Sequence, residues 1–153
     1  MSSKSANLKR SVRSPRAQAP RALSGTVFIT RQVHFNSAHR LHNPTKSQAW
    51  NTQQYGLCTN PHWHGHNYEV FVTVKGEPAA ETGFVIDLKF LSKLIKERVI
   101  DKLDHKNINM DVDFMKDKMA STEILTIAIW EQLEAEINAK GCYLHCVKLY
   151  ETE

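Results

Sequence analysis

No run of apolar residues in this 153-residue chain approaches the roughly 18 that a membrane-spanning helix needs, so no membrane partner is expected. Cysteine is scarce and odd in number, three in all, and the spacing offers no disulfide framework; a reducing compartment follows. If Cys142 and Cys146 share one strand, their Cα atoms stand about 13 Å apart, too far for a bridge. Acidic residues are missing from positions 1–25, which carry six basic ones (Lys4, Lys9, Arg10, Arg13, Arg16, Arg21). The formal charge of +4 therefore belongs to that tail: from residue 26 onward, 14 Lys and Arg face 16 Asp and Glu, a net of −2. A nucleic-acid binder carries its basic face on the folded body, so no nucleic-acid partner is expected. No internal repeat is present.

What is there has the balance of an ordinary folded domain, 41% apolar and 24% charged. It is long enough to bury a core without disulfide or metal staples. Residues 1–25 are Ser-, Arg- and Pro-rich and lack the apolar surface to offset their ordering entropy; they read as a disordered basic tail before a domain at 26–153. A cytoplasmic location is expected. The alternative is organelle targeting through residues 1–25, since Arg- and Ser-rich acid-free N-termini serve as transit peptides, although Pro15 and Pro20 would interrupt the usual amphipathic helix.

Alternation of Val27, Ile29, Val33 and Phe35 predicts a first strand. Residues 42–60 are polar, with Asn, Pro and Gly, and predict a long loop, functional or disordered. The run 64–75 predicts a second strand with Tyr68, Val70, Val72 and Val74 on one face. Residues 84–86 read as a short extension of a neighbouring strand. Asp87 is placed to cap a helix whose stripe is Leu88, Leu91, Leu94, Ile95, Val99 and Leu103. Residues 101–113 read as a loop. Ser121 is placed to cap a second helix with Leu125, Ile129, Leu133 and Ile137 on one side, stopped by Gly141. Residues 142–151 alternate as a last strand. The order gives an α+β class with an antiparallel sheet.

The densest chemistry lies in Cys58-Thr59-Asn60-Pro61-His62-Trp63-His64-Gly65-His66-Asn67-Tyr68. Side chains two apart on a strand point the same way, so His64 and His66 can present both imidazoles to one point, and Gly65 lets another backbone or a ligand approach. Catalytic zinc takes three protein ligands and keeps an open position. His39, directly after the first strand, can supply the third across the sheet. His62 is the rival ligand, because on an extended segment it shares the face of His64 and His66; a loop position is the alternative for it.

Cys58 sits six residues before His64 among loop-type neighbours. Thiols beside a divalent cation ionise more readily and serve as bases or nucleophiles. Cys142 and Cys146 lie in an apolar alternation and read as inert core residues. In Asp104-His105 a carboxylate can orient an imidazole and hold its charge. Glu151 shares a strand face with Val147 and Leu149; if that face is inward, the carboxylate needs partners, which the adjacent N–H donors of an aminopyrimidinone ring would supply. An exposed strand end is the other reading.

Together the stretches Phe35 to Leu41, Cys58 to Tyr68, Leu103 to Asn107, Ser121-Thr122-Glu123 and Tyr150-Glu151-Thr152 resemble, in order, the 6-pyruvoyl-tetrahydropterin synthase family. The resemblance implies a tunnelling fold: a four-stranded antiparallel sheet with two helices on one face, assembling into a barrel as trimers that stack into a homo-hexamer with sites near subunit interfaces. It implies Zn²⁺ on His39, His64 and His66, a catalytic set of Cys58, Asp104 and His105, a pterin anchor at Glu151, and a pocket lining from Ser121, Thr122 and Glu123. The implied reaction converts 7,8-dihydroneopterin triphosphate to 6-pyruvoyl-tetrahydropterin with loss of triphosphate, as in tetrahydrobiopterin synthesis. A sister group, the 6-carboxytetrahydropterin synthases of queuosine biosynthesis, acts on the same substrate but usually places the cysteine four residues before His-Gly-His. The six-residue step from Cys58 to His64 is similar to the pyruvoyl group. Family chains continue past the position of Glu151, so a frayed last strand or an incomplete chain is expected, and the basic tail is not a family feature. A non-catalytic metal-binding module is the remote alternative.

Overall fold

The computed structural model describes residues 23–151; the expected tail, apart from residues 23–25, and Thr152 of the last motif lie outside the described residues. The residues from Leu23 to Thr26 are exposed and irregular. The elements run β1 (Val27–His39), α1 (Gln48–Tyr55), β2 (His64–Gly76), α2 (Leu88–Ile95), α3 (Asp101–Leu103), β3 (Lys106–Asn107), α4 (Thr122–Asn138) and β4 (Tyr143–Glu151). A π-helical turn, Lys96–Ile100, joins α2 to α3.

The sheet order is β3-β1-β2-β4. β1 pairs antiparallel with β2 along its whole length, from Val27 opposite Gly76 to His39 opposite His64. β2 pairs antiparallel with β4, bringing Tyr68 opposite Glu151, with a bulge beside Thr73 and Val74. The expected four-stranded antiparallel sheet needs one correction. Its fourth strand is the two-residue β3, which runs parallel to β1 through Ser37–Lys106 and Ala38–Asn107. Residues 84–86 form no strand; they are bend and coil before the Asp87 cap.

Period-2 alternation decides which face is dry. Phe35, Tyr68, Val70, Val72, Val74 and Leu144 are buried from the sheet side, and Leu91, Ile95, Val99, Leu125, Ile129, Leu133 and Ile137 meet them from the helices. The helix starts are where the capping residues place them. Asp87 Oδ1 accepts from the Lys89 N–H at 2.8 Å, and Ser121 Oγ from the Ile124 N–H at 3.4 Å. After α4 the chain reverses at Gly141, whose φ of +78° suits a residue without Cβ.

The expected loop at 42–60 is more ordered than a loop. It holds α1, capped by Ser47, and a 3₁₀ turn, Gly56–Thr59, that carries Cys58. Apolar periodicity could not reveal α1, because among its residues only Asn51 is buried. β1 extends to residue 39, so His39 is its last residue rather than the one after it.

Candidate active site

Three consecutive inner-face positions at one end of β2, His64, His66 and Tyr68, form a row, and His39 joins it from β1. The cross-strand pairing of His39 with His64 makes the approach. The ring centroids are 4.5 Å apart for His39–His64, 5.1 Å for His39–His66 and 4.9 Å for His64–His66. One nitrogen from each ring lies within 4.8 Å of the others. The edge of a tetrahedron with 2.0–2.1 Å bonds is about 3.3 Å, so small ring rotations would close the set on one ion. Gly65 permits the tight strand contact: a Cβ there would meet the Ser37 carbonyl oxygen at 3.3 Å.

The protonation chemistry agrees with a metal site. His39 Nδ1 lies 2.7 Å from the Ala120 carbonyl oxygen. An N–H must donate there, which leaves Nε2 with its lone pair toward the cluster. Among the described residues, His39 Nε2 and both ring nitrogens of His64 are buried without a hydrogen-bond partner, an expensive condition unless a ligand completes them. Burial, and then the neighbouring His39 and His66, hold His64 below its ordinary value, with Glu151 pulling the other way. The neutral imidazole, the form that binds metal, is thereby favoured. The donor set fits a zinc ion held by three histidines with a position left open.

Glu151 stands against this cluster. Its Oε1 is 2.9 Å from His66 Nε2 and 3.8 Å from His39 Nε2, and its Oε2 accepts from the Thr122 hydroxyl. The carboxylate is therefore inward and partnered, the first of the two readings above. The Tyr68 phenol is raised far above its ordinary value by burial first, then by the Glu151 and Cys58 charges. Cys58 sits on the 3₁₀ turn Gly56–Thr59, which is tied to the His39 end of β1 where the Leu41 N–H donates to the Cys58 carbonyl at 2.8 Å. Tyr68, two residues beyond His66, reads from sequence only as a core residue; its place in the row was the available signal. The carbonyl of Ala120 that orients His39 had no side-chain signal at all.

Asp104 and His105 form a separate clasp. The Asp104 carboxylate accepts from the Asn36 N–H at 2.9 Å through Oδ1 and pairs with His105 Nδ1 at 2.9 Å through Oδ2. These two contacts, in that order, hold Asp104 below the ordinary carboxylate value. The His105 N–H donates to the Asn36 carbonyl at 2.7 Å, and the Ser37 hydroxyl donates to the Leu103 carbonyl. His105 has φ +58°, an uncommon left-handed conformation for a residue with a side chain. Its imidazole side chain is 79% exposed. It borders an open cavity of about 690 Å³ over Asn36, Ala38, Gly65 and Asn67. By strand parity those four belong to the outer face of the sheet, opposite the histidine row. Ser37 and His66 reach it from the inner-face row, whereas His39, His64, Cys58 and Glu151 do not line it.

The remaining sequence candidates sit as follows. Ser121 spends its hydroxyl on the α4 cap, Thr122 reaches Glu151, and Glu123 is exposed in the first turn of α4. His62 is an exposed turn residue and lies outside the histidine group. Cys142 is buried and Cys146 half-buried, both as free thiols.

Comparison with known proteins agrees with this geometry. The family model described as 6-pyruvoyl tetrahydropterin synthase matches residues 28–153. A Homo sapiens protein named 6-pyruvoyl tetrahydrobiopterin synthase is 39% identical over 125 residues, covering 82% of this chain and 85% of its own. A Bacillus subtilis protein named 6-carboxy-5,6,7,8-tetrahydropterin synthase is 26% identical over 142 residues, covering 91% of this chain and 84% of its own. The solved structure of the Caenorhabditis elegans 6-pyruvoyl tetrahydropterin synthase superposes with a TM-score of 0.72 at 31% identity, covering 84% of this chain and 97% of that one. With the histidine row, the partnered Glu151 and the four-stranded sheet in place, the chain belongs to the 6-pyruvoyl tetrahydropterin synthase family.

Proposed function

We propose that this chain is a zinc-dependent lyase that converts 7,8-dihydroneopterin triphosphate to 6-pyruvoyl-tetrahydropterin with elimination of triphosphate. The observation that carries the proposal is the convergence of His39, His64 and His66 beside a partnered carboxylate, Glu151, at one end of the sheet. A zinc ion on those three imidazoles would supply Lewis acidity, easing removal of a proton from the carbon beside a coordinated side-chain hydroxyl. Cys58, on its 3₁₀ turn, takes that proton. Glu151, steadied by the Thr122 hydroxyl, accepts two ring N–H donors of the pterin and fixes its orientation. His105, oriented by Asp104, moves protons on the far side of the substrate.

Within one chain the exposed His105 borders a cavity that Cys58, His39, His64 and Glu151 do not line. A substrate touching both His105 and Cys58 therefore lies between two copies, so the homo-oligomer implied by the family, a dimer of trimers, is part of the reading. The exposed Ile127, with partly buried Trp130 and Val147, forms an apolar surface between α4 and β4 suited to such contact.

The pyruvoyl reaction is favoured by the six-residue step from Cys58 to His64 and by the higher identity to the pyruvoyl relative. Incubating the zinc-loaded protein with 7,8-dihydroneopterin triphosphate and weighing the product tests it. A retained three-carbon side chain is expected. A one-carbon acid would assign the 6-carboxytetrahydropterin reaction instead, and unchanged substrate would reject both.

A further inference from the structure

Arg40 follows the ligand-type residue His39 and is gripped on both sides. Its main chain is clamped by Asn109: the Arg40 N–H donates to Asn109 Oδ1 at 3.0 Å, and Asn109 Nδ2 donates to the Arg40 carbonyl at 3.1 Å. Its guanidinium reaches the other way. Nε donates to the Thr59 carbonyl at 2.8 Å, and a terminal nitrogen lies 3.3 Å from His42 Nδ1. The next residue, Leu41, donates its N–H to the Cys58 carbonyl at 2.8 Å. Two successive carbonyls of the cysteine turn are thus held from two successive residues at the metal end of β1.

The rest of the excursion is closed on itself. The fully buried Asn51 amide accepts from the Asn43 N–H at 2.7 Å and donates to the Asn43 and Ser47 carbonyls, both at 3.0 Å. With residues 43–51 fixed as a unit, the bonds from residues 40 and 41 tie the Cys58 turn to the end of β1.

We propose that Arg40 is a positioning residue for Cys58: its directed bond to the Thr59 carbonyl sets the distance from the sulfur to the histidine row. This deepens the function proposed above and rests on Cys58 being the base. A guanidinium–carbonyl bond is charge-assisted and directional. An ammonium on a flexible stem carries the same charge without the fixed fork, so lysine does not substitute. A base displaced by about 1 Å costs roughly 100-fold in rate, while the zinc ligands, on β1 and β2, are untouched.

Arg40→Ala, Arg40→Lys, Asn109→Ala and Cys58→Ala, made in the full chain and loaded with zinc, provide the test. In both Arg40 variants kcat is expected to fall about 10- to 100-fold, with KM, bound zinc and melting temperature near wild type. Methylguanidinium is expected to restore kcat several-fold in Arg40→Ala and to do nothing for Cys58→Ala. Independently of turnover, hydrogen exchange at the Leu41 amide should quicken at least about 10-fold in the Arg40 variants and stay unchanged in Cys58→Ala. Wild-type kcat in Arg40→Lys, or a loss that follows zinc release or melting, overturns the proposal. If Cys58→Ala turns over normally, the base assignment fails instead, whatever the exchange data show. Should Arg40→Ala not fold, Arg40→Lys and Asn109→Ala carry the same comparison, with Asn109→Ala expected to show the smaller loss of kcat.

Discussion

Cys58 and His105 are proposed to serve one substrate from two different chains, and this has a numerical consequence. Cys58 sits on a turn tied to the His39 end of β1 through the Leu41 N–H, and the His105 side chain is 79% exposed beside a cavity that Cys58 does not line. In homogeneous Cys58→Ala or His105→Ala assemblies every site lacks one group. General acid–base groups contribute about 10²- to 10⁴-fold, so each variant alone is expected to run at about 1% of wild type or less. In assemblies formed from equal amounts of the two variants, half the chains supply an intact Cys58 and half an intact His105. A site that draws these groups from different chains is complete in about a quarter of cases. Co-expression of the two variants, with subunit ratio checked by mass spectrometry and triphosphate release as the assay, should therefore return about 25% of wild-type activity. That lies at least about 25-fold above either parent. Mixed assemblies that stay at the parental level would place both groups in one chain and refute the two-chain reading of the site.

Removing one imidazole, as in His64→Ala, leaves two ligands and should abolish stoichiometric zinc binding by isothermal titration while the far-ultraviolet circular dichroism stays native, because the core lies below the row. A variant that still binds one zinc per chain at wild-type affinity would contradict the ligand set. Asp104 gives a pH test with a definite sign. Its folded value is depressed below the ordinary 3.8, so the stabilisation from its clasp is fully present above that value and is lost as pH falls through the lower folded value. Wild type should melt above Asp104→Asn at pH 7, and the two curves should converge as the pH drops below 3.8. A gap that persists in acid would point away from the carboxylate.

Much of this arrangement was legible because it rests on strand periodicity. His64 and His66 share a face by parity alone, the inward set of β2 follows from its alternation, and the Asp87 and Ser121 caps announce their helices. Other parts leave no such trace. α1 is polar on nearly every side, and its one buried residue, Asn51, acts through hydrogen bonds, so no apolar stripe marks it. β3 is two residues long and pairs through main-chain atoms, which sequence pattern does not encode. The separation of Asp104–His105 from the histidine row depends on which side of β1 the 103–107 segment docks. The Ser37–Leu103 and Asn36–Asp104 contacts decide that, and no periodicity predicts them. Arg40 stood next to a ligand-type residue, yet its aim toward Thr59 is a tertiary fact.

Zinc-edge X-ray absorption on the purified, zinc-loaded full chain reports most directly on the ion that the proposed chemistry requires. Three imidazole nitrogens at about 2.0–2.1 Å plus one exchangeable oxygen ligand are expected, with no sulfur in the shell. A zinc–sulfur distance near 2.3 Å would make Cys58 a ligand rather than a base, and a nitrogen count below three would dissolve the histidine site.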